Sequence, residues 1–113
     1  MRGMLLLFLL VAACSKGPEA DLQYISEARS LVAEWALVNE QAEQSHLTSA
    51  YVHTMRQDLR QQLQSTAQSL TQPQSAYGQQ IAAALRAPDN APPRQLRAYA
   101  GKLKQIEDQL ESA

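Results

Sequence analysis

Apolar residues recur at three- and four-residue steps along four stretches of the chain, the spacing that lines one face of an α-helix. The first stretch carries Leu22, Ile25, Ala28, Val32, Trp35, Val38 and Ala42, with Leu31 and Leu37 flanking the main face and Asp21 placed as its N-cap. The pattern breaks at Gln44-Ser45-His46. Thr48 then caps a second helix, with Leu47 and Val52 at the positions of a hydrophobic staple, and Val52, Met55, Leu59, Leu63, Thr66 and Leu70 continue one face. Pro73 ends that helix or opens the next at its first turn. A short third helix carries Tyr77, Ile81, Ala84 and Leu85 and stops before Pro88, leaving Asp89-Asn90-Ala91-Pro92 as a loop. Leu96, Tyr99, Leu103, Ile106 and Leu110 mark a last helix at heptad spacing, over too few heptads for a long coiled coil. No stretch alternates apolar and polar residues as a half-buried strand would. The expected fold is all-α, a small antiparallel bundle of three to four helices.

A chain of 113 residues holds one such domain at most. The 45% apolar content overstates its core, because Met1 to Ala13 is almost wholly apolar and Ala supplies much of the rest. About two dozen large apolar side chains follow Cys14, each contributing roughly 1.5–3 kcal/mol when fully buried, against about 1–2 kcal/mol of backbone ordering per residue. A domain near balance, or one completed by a partner, is expected.

The N-terminus has its own logic. Met1-Arg2 is a short positive start, Met4 to Leu10 an apolar run, and Val11-Ala12-Ala13 supplies the small residues a signal peptidase accepts. The run is shorter than the about 20 residues a spanning helix needs and turns polar at Ser15-Lys16-Gly17-Pro18. Cys14 is the sole cysteine, so it forms no internal disulfide, and an exported free thiol is a liability unless something consumes it. Val11-Ala12-Ala13-Cys14 resembles the lipobox of bacterial lipoproteins. That resemblance implies cleavage before Cys14, acylation of the cysteine and anchoring in a membrane. Ser15, in place of Asp after the cysteine, implies the inner leaflet of the outer membrane, facing the periplasm, in a host with two membranes. The division expected is a signal peptide over 1–13, a lipidated Cys14 with flexible tether over 14–20, and a helical domain over 21–113. The run Leu31 to Asn39 and the corner from Leu47 to Arg56 resemble small uncharacterised proteobacterial lipoproteins, and no activity comes with that likeness.

The net charge of −1 excludes a global bias toward nucleic acid or membrane. Locally, the first helix carries Glu27, Glu34, Glu40 and Glu43 after Asp21, opposed there only by Arg29. Arg56, Arg60, Arg86, Arg94, Arg97, Lys102 and Lys104 dominate the rest until Glu107, Asp108 and Glu111. Antiparallel packing would set the acidic helix beside these basic stretches, choosing neighbours more than supplying stability. Ser49-Ala50-Tyr51 with Met55 and Leu59-Arg60 matches Ser75-Ala76-Tyr77 with Ile81 and Leu85-Arg86 at identical spacing, as two amphipathic helices opening on Ser readily do.

Candidate chemistry is sparse. His46 and His53 are the only imidazoles, beside Ser45 and Thr54, and neither forms a triad pattern. Glu43, His46 and His53 lack the i, i+4 histidine pair of a zinc helix. There is no Gly-rich phosphate loop, and the carboxylates sit on helix surfaces rather than across a cleft. No enzyme activity, cofactor, metal or nucleic-acid ligand is expected. Trp35, Tyr51, Arg56 and Arg60 are the candidate partner-binding residues, since aromatics and Arg are favoured anchors; for Trp35 core packing in the bundle is the leading role and a partner-facing or self-association face the second. The function expected is a lipid-anchored helical interaction or structural module of the cell envelope, contacting a protein partner or itself. The alternative is a periplasm-facing carrier of a small apolar ligand or lipid.

Overall fold

The computed structural model describes residues 17–113. The expected signal peptide over 1–13, Cys14 and the first part of the expected tether lie outside the described residues. Four α-helices follow one another: α1 Leu22–Glu43, α2 Ser49–Ser69, α3 Ala76–Arg86 and α4 Pro93–Glu111, preceded by a 3₁₀ turn over Pro18–Asp21. Among the described residues there is no strand, and no helix is long and apolar enough to cross a membrane.

The helices run alternately up and down. Contacts near Asn39 and Arg56 join α1 to α2 across their corner, while Arg29–Glu107 and Glu40–Arg97 fix α4 antiparallel to α1. α1 packs mainly on α2 and α4, and α3 lies diagonally opposite α1, between the other two. Because α1 meets neighbours on two sides, its buried stripe is wide: Leu31, Ala36 and Asn39 join Ile25, Ala28, Val32, Trp35 and Val38, while Leu37 stays 52% exposed. Val52, Leu59, Leu63 and Thr66 of α2, Tyr77, Ile81 and Ala84 of α3, and Leu96, Ala100 and Leu103 of α4 complete the core. The Thr66 hydroxyl donates to the Gln62 carbonyl, so its place on the apolar face leaves no polar atom unmatched.

The α1–α2 corner is closed by the C-terminal geometry that usually employs glycine. Ser45 takes φ 59°, its N–H donates to Ala42 O, and His46 N–H donates to Gln41 O at 2.9 Å. Thr48 Oγ1 accepts from Tyr51 N–H at 3.2 Å, as expected of an N-cap, with Val52 buried and Leu47 half-buried against the core. Ser75 caps α3 in the same way, accepting from Gly78 N–H. Despite the matching sequences, the caps differ by one residue, since Thr48 rather than Ser49 serves α2. Tyr51 is exposed where Tyr77 is buried.

Two expectations are corrected here. Pro73 neither ends α2 nor opens α3; α2 stops at Ser69 and Pro73 sits within the connecting loop. That loop presses on α3 so closely that a Cβ on Gly78 would stand 2.2 Å from Pro73 O. Asp21, in turn, makes no side-chain cap on α1. Its carboxylate is fully buried and accepts from Thr71 N–H at 2.9 Å, Gln72 N–H at 3.1 Å and Tyr77 Oη–H at 2.6 Å. It clasps the start of the domain to the α2–α3 loop, and Gly17 O adds a contact from Thr71 Oγ1. The last residues of the expected tether are already part of the folded structure, with Pro18–Asp21 turned.

Burial alone would raise the Asp21 carboxyl, but the hydrogen bonds from Tyr77, Thr71 and Gln72 outweigh it and hold the group below its ordinary 3.8. Burial, and then the bond to Asp21, push Tyr77 up to about 12. Asp21 thus contributes stability that is present above its unfolded-state value and lost as pH falls through its lower folded value. Tyr77 contributes stability that is complete below 10.0 and lost as pH rises through about 12. In urea unfolding between about pH 6 and about pH 3, the wild type is expected to lose stability more steeply than Asp21→Asn; parallel slopes would refute an ionised clasp. Gly78→Ala is expected to lower the unfolding free energy by about 1–3 kcal/mol, read from the same denaturation curves.

Candidate functional site

α3 has half the length of its neighbours, so one quadrant of the bundle is filled past Arg86 by an extended segment, Ala87–Pro92. Pro88, Pro92 and Pro93 deny this strap a helical ladder: Pro88 O and Pro92 O accept from Ala91 and Leu96 N–H, while the carbonyls of Ala87, Asp89 and Ala91 are left without a backbone donor. α1 and α2 supply side-chain donors instead. Trp35 Nε1–H donates to Asp89 O at 2.9 Å, and Asn39 Nδ2 donates to the same oxygen at 3.0 Å and to Ala91 O at 2.8 Å. Asn39 Oδ1 accepts from Arg56 Nε at 2.8 Å, which fixes the orientation of its amide.

Arg60 completes the arrangement. Its two terminal nitrogens donate to Ala87 O and Leu85 O, each at 2.8 Å, and so close the C-terminal end of α3. Its Nε stands 3.2 Å from Asp89 Oδ1, and its guanidinium carbon lies 5.1 Å from the centre of the Trp35 ring. Among the described residues, every buried side-chain nitrogen and oxygen has a hydrogen-bond partner.

These contacts relocate the candidate partner-binding residues. Trp35 is 0% exposed and belongs to the core, not to a docking surface. Arg60 is committed to the strap and Arg56 donates its Nε–H to Asn39, both side chains being half-buried, and neither pairs with a carboxylate of α1. Tyr51 alone stays open to a partner, at 51% exposure beside the corner. Asn39 was the residue hidden from sequence reasoning. Its place one turn after Trp35 on a buried stripe was the available signal, a polar residue where an apolar one was due. Glu107 was hidden likewise: it is buried on α4 and accepts from Arg29 Nε at 2.9 Å.

Outside the network, His53, Gln57, Gln61 and Gln64 of α2 face Leu85 and Asp89 across an open groove of about 480 Å³. No family model, curated protein or solved structure matches the chain. Its chemistry must be read from its own geometry. His46 Nδ1 lies 2.8 Å from Gln41 Oε1 at the corner, and among the described residues Glu43, His46 and His53 form no metal-binding group.

Substitution separates the buried network from the exposed aromatic. Trp35→Ala is expected to cost about 3–5 kcal/mol and Arg60→Ala about 1.5–3 kcal/mol in chemical denaturation, whereas Tyr51→Ala shifts stability by about 0.5 kcal/mol or less. A large loss at Tyr51, or none at Arg60, would overturn these assignments.

Proposed function

We propose that this chain is a lipid-anchored, non-enzymatic module of the cell envelope, working through helix-face contacts with an envelope protein or a second copy of itself. In a two-membrane host, Ser15 after Cys14 supports an address on the inner leaflet of the outer membrane. The observation that carries the reading is the Asp21 clasp. It ties the first described turn, which opens at Pro18 four residues beyond Cys14, to the α2–α3 loop. Four extended residues reach at most about 14 Å, too little for a free-swinging leash.

An acyl group on Cys14 would therefore hold the clasped end of the bundle close to the headgroups. Two or more acyl chains make such anchoring stable. The α1–α2 corner would stand at the other end of α1, about 33 Å away for a helix of 22 residues. Tyr51, exposed next to that corner, is the aromatic best placed for a partner.

The test combines intact-mass analysis of the mature protein with in-cell photocrosslinking from position 51 in wild type and in Cys14→Ala. The expected result is a chain beginning at an acylated Cys14 that gives a defined adduct in the wild type only. A mature chain with an unmodified cysteine would refute the anchor. An acylated chain with no adduct, or with one indifferent to Cys14→Ala, would refute the membrane-dependent contact.

A further inference from the structure

The outer face of α2 differs from those of its neighbours. Its exposed positions include Thr54, Gln57, Gln61, Gln62, Gln64, Ser65, Gln68 and Ser69, and the only charged side chain exposed there is Asp58. The exposed faces of α1 and α4 carry several charges, from Glu27, Glu34 and Glu43 to Arg94, Lys102, Lys104 and Glu111. Gln57, Gln61 and Gln64 follow one another at four and three residues, forming a row about 10 Å long on one side of the groove. Half-buried Leu85 and 61%-exposed Asp89 form the other side.

Ligand classes can be weighed against this lining. An anion would need a free cation, and the one arginine here is committed to Leu85 O, Ala87 O and Asp89. A metal would find only His53 and Asp89, short of a ligand set. A protein helix would find a single half-buried apolar residue, Leu85, rather than an apolar stripe, since the exposed Leu37 and Tyr51 do not line the groove. A row of carboxamides remains, each both donor and acceptor, and each cheaper to desolvate than a charge. That matches groups that also donate and accept, with Leu85 offering an apolar seat for a C–H face or a methyl group.

We infer that the α2–strap groove binds a neutral glycan strand bearing hydroxyl and acetamide groups, with Gln57, Gln61 and Gln64 as the hydrogen-bonding row and Asp89 accepting from hydroxyls. The inference does not depend on the lipid anchor. Arg60 acts here as a positioning residue, because it holds Asp89 and the strap against α2.

The probe is the uncharged tetrasaccharide of N-acetylglucosamine, titrated into the purified mature chain and followed by amide chemical shifts. Saturable shifts confined to the groove are expected, with a dissociation constant in the millimolar range that weakens about tenfold or more in Gln57→Ala/Gln61→Ala, or about 1.4 kcal/mol. Gln105→Ala, exposed on α4, should bind as the wild type does. Absence of groove shifts, equal affinity in the double variant, or tighter binding of an uncharged tetra-alanine peptide in the same groove would each overturn the assignment. Unchanged α-helical circular dichroism in the double variant shows that its loss of binding is not a loss of fold.

Discussion

A buried backbone carbonyl without a donor costs about as much as a lost hydrogen bond with its desolvation, and this bundle places three carbonyls that lack a backbone donor, those of Ala87, Asp89 and Ala91, in one short segment. The three prolines around the strap stop α3 from running the length of the bundle. What would have been an intrahelical ladder becomes a set of demands on other helices. Trp35 and Asn39 on α1 and Arg60 on α2 meet those demands, and Arg56 holds Asn39 in the orientation required. The order of the helices, the position of the strap and the burial of the tryptophan all follow from these contacts.

A second polar lock works at the opposite end. Asp21 reaches across to two amides and a phenol, giving the start of the domain a fixed partner in the α2–α3 loop. The approach of Pro73 to Gly78 keeps that loop in place. Between the locks lies a core rich in alanine, with Ala28, Ala36, Ala84 and Ala100 letting the helices approach closely but contributing little apolar area each. Polar contacts of this kind define which packing is adopted more than they add stability, because each exchanges water for protein. Pairing of Arg29 with buried Glu107 and of Glu40 with Arg97 sets the register of α4 on α1 in the same manner.

The arrangement also distributes the surface. With Trp35 buried and Arg56 and Arg60 half-buried against their partners, what remains outside is a charged α1–α4 side and a glutamine-rich α2 whose one exposed charge is Asp58. The glutamines that face the groove take no part in the contacts that hold the fold, whereas Arg60, Leu85 and Asp89 line the same groove and do. The groove beside α2 can change its side chains without disturbing the core, provided that Arg60 and the strap stay as they are.

The amino-acid sequence by itself determined the helices. Periodicity placed all four, Thr48 was legible as a cap, and the proline cluster announced the end of α3, because these depend on contacts within a few residues of chain. The N-terminal lipobox resemblance is local in the same sense. Tertiary structure alone decided the roles of the polar residues. Asp21 looks like a helix cap, Arg60 like a surface anchor and Asn39 like nothing in particular, and a core tryptophan at position 35 has no evident partner for its indole N–H, until residues 25 to 54 positions away come within hydrogen-bond reach. A side chain's local preference is short-ranged, whereas its partner is chosen by the folded topology, which no spacing of residues along the chain expresses.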